Sequence, residues 1–221
     1  MNEATWQEWV NKFEWIVKIA KRRKWTYEKL KINPPIPERT IKSIEKNLEV
    51  VFPQDFTEVL TKYASGVFLD WTIKGEETEG KFREIFCGGG RGYLWDYSIL
   101  IENYKSYLSW IDACFPDPED EIDKIWHNKI PFLSVPNGDI IAFGEETIYG
   151  NPVVYLSHDG EEDFNGARLG LNFVDFINKW STLGCIGTED WQFEPFYDYE
   201  NKLLKKEGPA IEEWKKWLEK K

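Results

Sequence analysis

The segment VPNGDIIAFG, Val135 to Gly144, sets an Asn-Gly pair between two apolar runs. Whether its glycines cradle a phosphate or turn a sheet decides the fold. Asn and Gly both tolerate positive φ, so Asn137 and Gly138 suit a type I′ turn. Such a turn would join an edge-like strand, punctuated by Pro131 and Pro136, to a buried strand from Asp139 to Phe143. The unbroken apolar runs Ile140–Phe143 and Val153–Leu156 predict central strands covered on both faces. Phe173, Phe176, Ile177, Trp180 and Leu183 recur at helical spacing and predict a helix over one of those faces.

A second glycine cluster, CGGGRGY from Cys87 to Tyr93, lies upstream. A phosphate loop of the Walker type needs a Lys and a Ser or Thr after its last glycine, and this cluster has neither. A dinucleotide fingerprint starting at Gly90 would need a third glycine where Trp95 stands. Both phosphate readings fail, and the cluster is expected to be a loop between a strand FREIF and the next helix.

Outward from this centre, Trp6, Trp9, Phe13, Ile16, Val17 and Ala20 mark a helix over residues 3–22 that ends in KRRK, a basic run suited to a helix C-terminus. NPPIP reads as a linker. Two short helices follow, on Ile41, Ile44 and Leu48 and on Phe56, Val59, Leu60 and Tyr63, with Gly66 as a cap. VFLDWTI and FREIF predict a hairpin around the polar turn KGEETEGK. Tyr97 to Ile111 predicts a helix, the acidic loop FPDPEDEID follows, and GPAIEEWKKWLEKK predicts a last amphipathic helix. The fold class expected is α+β, a mostly antiparallel β-sheet flanked by helices, with extra N- and C-terminal helices. The expected units are an N-terminal helical extension (1–35), an α+β domain (36–184) and a C-terminal helical extension (185–221).

The chain of 221 residues is 42% apolar and 16% aromatic, a composition that supports a packed core. No apolar stretch approaches the roughly 20 residues that span a bilayer, and the acidic, aromatic start is unlike a signal peptide, so a cytoplasmic location is expected. Cys87, Cys114 and Cys185 are an odd, widely spaced set and are expected to be buried, reduced thiols. His127 and His158 are too few for a zinc site; calcium-loop spacing is absent; sequence neighbours such as His158 and Asp159 seldom face each other. No cofactor, metal or catalytic residue is expected.

Net charge divides unevenly along the chain: +4 over residues 1–35, +3 over residues 201–221 and −18 between them. Such a middle section repels nucleic acid and would steer a basic partner toward itself, although acidity can also serve solubility alone. Asp112, Asp117, Glu119, Asp120, Glu121 and Asp123 form its densest cluster, readable either as a partner surface or as a solvated loop. Trp95 and Trp126, with Trp191, lie in predicted loops or beside carboxylates, where an aromatic could anchor a partner.

The order of segments is distinctive: PPIPERTIKSIEKNLEVVFPQDFTEVLTKYASG, then PFLSVPNGDIIAFG, NPVVYLSHDG and LNFVDFINKW. It resembles the SUKH superfamily, the type found in the yeast cell-wall synthesis regulator and in many bacterial proteins. There an I-x-x-x-E-x-x-L helix leads into an L-P-x-D-Y-like helix start; here these are Ile41, Glu45, Leu48 and FPQDF, with Phe52 and Phe56 replacing leucine and tyrosine. A G-D strand start is matched by Gly138 and Asp139, a V-x-x-x-x-H-D strand by Val154 to Asp159, and an S-F-x-x-F-L helix by NFVDFI. The usual N-G-G is reduced to ASG. The resemblance implies an α+β fold without catalytic residues, acting as an immunity protein that binds and neutralises a toxin, often a nuclease, or as a regulatory scaffold of the eukaryotic kind. A basic protein toxin domain is the partner expected, with no nucleic acid or membrane, and the protein a monomer or dimer.

Overall fold

The computed structural model describes residues 1–74, 78, 80–159 and 164–220. Helix α1 (Glu3–Arg22) follows the predicted stripe, burying Trp9, Phe13, Ile16 and Ala20, and Asn2 caps it by accepting from the Thr5 N–H at 2.9 Å. Strands β1 (Thr26–Tyr27) and β2 (Lys31–Asn33) then pair side by side along one edge of β3 (Gly66–Thr72), and β4 (Cys87–Asp96) pairs with its other edge, every pairing antiparallel. Between them, α2 (Glu38–Leu48) and α3 (Gln54–Lys62) bury Ile41, Ile44, Phe56, Val59 and Leu60. Tyr63 closes α3, and Gly66 opens β3 instead of capping the helix.

The second sheet holds β5 (Ile130–Ser134), β6 (Ile140–Phe143), β7 (Val153–Leu156), β8 (Arg168–Gly170), β9 (Tyr197–Asp198) and β10 (Leu203–Leu204) in the order β5-β6-β7-β8-β10-β9. All its pairings are antiparallel except the parallel contact of β10 with β8. Both faces of β6 and β7 are covered. Ile141, Phe143, Val153 and Tyr155 face the main core. Ile140, Ala142, Val154 and Leu156 face a second cluster with Tyr107, Phe115 and Trp126. Helix α5 (Phe173–Thr182) lies in the main core, while α4 (Leu100–Cys114) and the segment after it cover the other face. The α+β expectation holds, with two sheets in place of one.

Three local readings are corrected. Residues 87–96 are a strand, not a loop, and FREIF is not one: a 3₁₀ turn at Gly80–Phe82 precedes β4. The glycines serve close approach. A Cβ on Gly88 would stand 2.3 Å from the Trp71 ring and 2.4 Å from the Cys185 carbonyl; one on Gly89, whose φ is +76°, would stand 1.6 Å from the Leu69 carbonyl oxygen. The KGEETEGK turn falls largely outside the described residues. At Val135–Asp139 only Gly138 of the Asn-Gly pair has positive φ, +107°, and Gly138 N–H donates to Val135 O at 3.0 Å while Val135 N–H donates to Asp139 O at 2.8 Å. That is a three-residue loop in which Pro136 and Asn137 occupy the turn and glycine the bulge, so the type I′ assignment does not hold.

Residues outside 36–184 enter the same core. Past the short helix α6 (Asp190–Phe193), Trp214 and Leu218 of α7 (Pro209–Glu219) are buried with Trp9 and Phe13 of α1. The segment after α5 is stitched to β4 through Gly89 N–H to Cys185 O and Gly187 N–H to Cys87 O, both 2.7 Å. The basic run at the end of α1 reaches a different helix from its own: Arg22 and Arg23 donate to the Leu218 and Trp217 carbonyls at the end of α7, at 3.1 and 2.7 Å. The Arg23 guanidinium also lies over the Trp217 ring, 4.1 Å from its centroid. Cys87 and Cys185 are buried; Cys114, at the end of α4, is exposed, contrary to expectation. Among the described residues no helix is long and apolar enough to cross a membrane.

Candidate functional site

Of the four acids in the motifs of the resemblance, Asp159 is exposed, while Glu45, Asp55 and Asp139 are built into the fold in the same way, each accepting a main-chain N–H bond from another segment. Glu45, buried in α2, accepts from the Phe52 N–H at 3.0 Å and from Lys42 Nζ at 2.8 Å, fixing the turn between α2 and α3. Asp55, in the first turn of α3, accepts from the Phe56 N–H at 2.9 Å and from the Val174 N–H of α5 at 3.2 Å. A carboxylate between two helix N-termini is favoured by both dipoles, yet burial outweighs the amide bonds and holds the Asp55 pKa above the ordinary carboxylate value.

Asp139 is the third, and it is 1% exposed. One oxygen accepts from the His158 N–H at 2.8 Å and faces His158 Nδ1 at 2.6 Å. The other accepts from Asn137 Nδ2 at 2.6 Å and from the Tyr155 hydroxyl. Four donors fill the lone-pair capacity of a carboxylate, which compensates the cost of burying it. His158 Nε2 lies 3.4 Å from Asp159, so these sequence neighbours do approach, and the Trp110 ring stands 5.2 Å from the imidazole. With its oxygens already engaged, Asp139 acts as a fastener between the β5–β6 turn and the end of β7.

A family model described as SMI1-KNR4 cell-wall, SUKH_6, matches residues 38–177. The chain belongs to the SUKH superfamily. Neither a curated protein nor a solved structure matches it. In this SUKH chain Glu45, Asp55 and Asp139 hold the scaffold together, and other carboxylates make up its acidic surface.

The acidic loop is part of that surface. Asp112, Asp117, Glu119, Asp120 and Glu121 are exposed and Asp123 is half-buried. Three of the six carboxylates shape the loop itself: Asp117 accepts from the Glu119 N–H at 3.0 Å, Asp120 from the Ile122 N–H at 2.8 Å and Asp123 from the Asp117 N–H at 3.0 Å. The amides on Asp120 hold its pKa below the ordinary value. Glu119 and Glu121 project into solvent; the 4.0 Å approach of Lys124 to an almost fully exposed Glu121 is worth little.

Trp95 and Trp126 are corrected. Both are fully buried and cannot be surface anchors. Trp95 donates to Ala64 O at 3.1 Å within the main core, because the segment holding it is strand β4. Trp126 stacks on Phe115 at 4.5 Å between centroids and donates to Ser157 O at 3.1 Å. The Tyr107 hydroxyl donates to Trp126 O at 2.6 Å and accepts from the Lys129 N–H at 3.1 Å. Trp126 therefore bolts the acidic loop onto the second face of the sheet. Trp191 is half-buried.

The segment joining β6 and β7 is the surface feature that sequence reading missed. Asn128, just after the acidic loop, donates to Glu145 at 3.2 Å and so makes the two segments neighbours. Residues 112–146 carry nine carboxylates against two lysines, a net charge of −7. Beyond Glu145 and Glu146, Ile148 and Tyr149 are 90% and 61% exposed. The signal in the sequence is the run GEETIYGNP, where two large apolar residues sit between turn formers.

Proposed function

We propose that this SUKH protein is an immunity protein that binds a basic toxin domain, a nuclease in the leading reading, and blocks it by occupying its active cleft. The observation that carries the reading is membership of the SUKH superfamily over residues 38–177. The carboxylates around the acidic loop support it, since the eight exposed or half-buried carboxylates of residues 112–146, against two lysines, suit a cleft that otherwise holds phosphates. Inhibition needs no chemistry from the inhibitor. Its carboxylates stand where substrate phosphates would lie, and the toxin's Lys and Arg supply the complementary charge.

The test is co-expression. Where the neighbouring gene encodes a protein with a C-terminal toxin domain, that domain is expressed in cells with and without the chain, and survivors are counted. Protection is the expected result, and equal killing in both cultures rejects the immunity reading for that pair.

A further inference from the structure

The geometry points to Ile148 and Tyr149 as the apolar centre of the partner interface, inserted into an apolar depression that the partner edges with Lys and Arg. This inference rests on the immunity reading and assigns it a contact surface.

Scattered surface apolar residues are ordinary, but this pair breaks a local rule without structural return. Turn positions favour Gly, Asn, Asp, Ser or Pro, and β-branched residues are poor there. The turn is nonetheless well fastened. Thr147 and Gly150 exchange main-chain bonds of 2.9 and 3.0 Å, and the Thr147 hydroxyl donates to Gly150 O at 2.9 Å while accepting from the Tyr149 N–H at 3.2 Å. Asn172, the cap of α5, donates to Tyr149 O at 3.0 Å and ties the tip to the body. The sequence thus provides a rigid mount and places on it two side chains that the fold does not bury. Binding through a pre-ordered element loses less entropy than binding through a loop that must order first.

The surroundings indicate the partner's chemistry. Glu145 and Glu146 precede the tip. A cleft of about 520 Å³ beside it is lined by Glu146, Tyr149, Asn172, Asp55 and Glu58, the last paired with the Met1 ammonium at 2.7 Å. On the other side Asn128 links Glu145 to the acidic loop. An apolar centre within a carboxylate rim is complementary to a basic protein surface and unsuited to an anionic membrane or to nucleic acid. The two parts have separable kinetic roles: rim charge sets the association rate, and the packed centre sets dissociation.

The experiment uses the full chain and the purified C-terminal domain encoded by the adjacent gene, with binding followed by surface plasmon resonance at low and high salt. The double substitution Ile148→Ser with Tyr149→Ser is expected to leave the circular-dichroism melting temperature unchanged, because both side chains are exposed. It is expected to raise the dissociation rate at least about 30-fold. Glu119→Lys with Glu121→Lys is expected to slow association at low salt and leave dissociation nearly unchanged. If the wild-type chain neither binds nor protects, the immunity reading falls and this inference with it. If the wild type binds and protects while the Ile148/Tyr149 variant dissociates at the wild-type rate, the inference alone is overturned. A tip that instead mediates self-association, lost in the variant while toxin binding persists, overturns it equally.

Discussion

Nδ1 of His158 lies 2.6 Å from a carboxylate oxygen of Asp139, a residue 19 positions earlier in the chain, and the same oxygen takes the His158 main-chain N–H. Removing the carboxylate takes the acceptor from the buried Tyr155 hydroxyl and from the half-buried Asn137 amide and His158 donors. Asp139→Ala is expected to cost about 3–5 kcal/mol of unfolding free energy, measured by urea denaturation. A loss under about 1 kcal/mol would show that the network is not a fastener.

The bolt formed by Trp126 can be drawn separately. Trp126→Ala empties the stack on Phe115 and removes the bond to Ser157 O, with an expected cost of about 3–5 kcal/mol. Hydrogen exchange over residues 115–128 should rise more than exchange in α1, because the side chain belongs to the smaller of the two clusters.

In β4 the glycine at position 89 is more demanding than its neighbour at 88. Its φ is +76°, and a methyl group there would stand 1.6 Å from the Leu69 carbonyl oxygen, so Gly89→Ala has no room without separating β3 from β4. Loss of cooperative unfolding in a thermal melt is the expected outcome, whereas Gly92→Ala in the same strand, where a Cβ would meet only the Phe68 ring at 4.0 Å, should retain it.

Alkaline stability follows from two tyrosines. Burial pushes the Tyr107 pKa up to about 12, and burial together with the neighbouring Asp139 raises that of Tyr155 further. A folded pKa above the unfolded value of about 10 means that the folded state holds the proton more tightly. The stabilising contribution is complete below about pH 10 and declines as the pH rises through the folded values. Denaturation midpoints should therefore fall above about pH 10, and Tyr107→Phe should flatten that fall. An unchanged slope in the variant would count against the assignment to Tyr107.

Legibility in the sequence followed the range of the interactions concerned. Helix α1 and strands β6 and β7 can be placed because Trp9, Phe13, Ile16 and Ala20 repeat a helical period and each strand is four apolar residues in a row, signals that are local in the chain. The glycines of β4 escape a local reading because their reason lies on other segments, in the Trp71 ring and the Cys185 carbonyl. Trp95 and Trp126 look like surface residues in one dimension because charged neighbours in sequence say little about which way an indole turns. Two-residue strands such as β1 and β9 have no period to read. The motif acids stand out by resemblance, and their work emerges only in three dimensions, since Asp55 meets Val174 and Glu45 meets Phe52.

The Arg22 and Arg23 contacts with α7 carry a consequence for synthesis. Trp9 and Phe13 share their core with Trp214 and Leu218, and the end of α1 is held by carbonyls of residues 217 and 218. A growing chain therefore cannot close this interior until α7 has been made and has left the ribosome. Until then the indoles of α1 stay available to chaperones, so closure of the core waits on a helix far downstream.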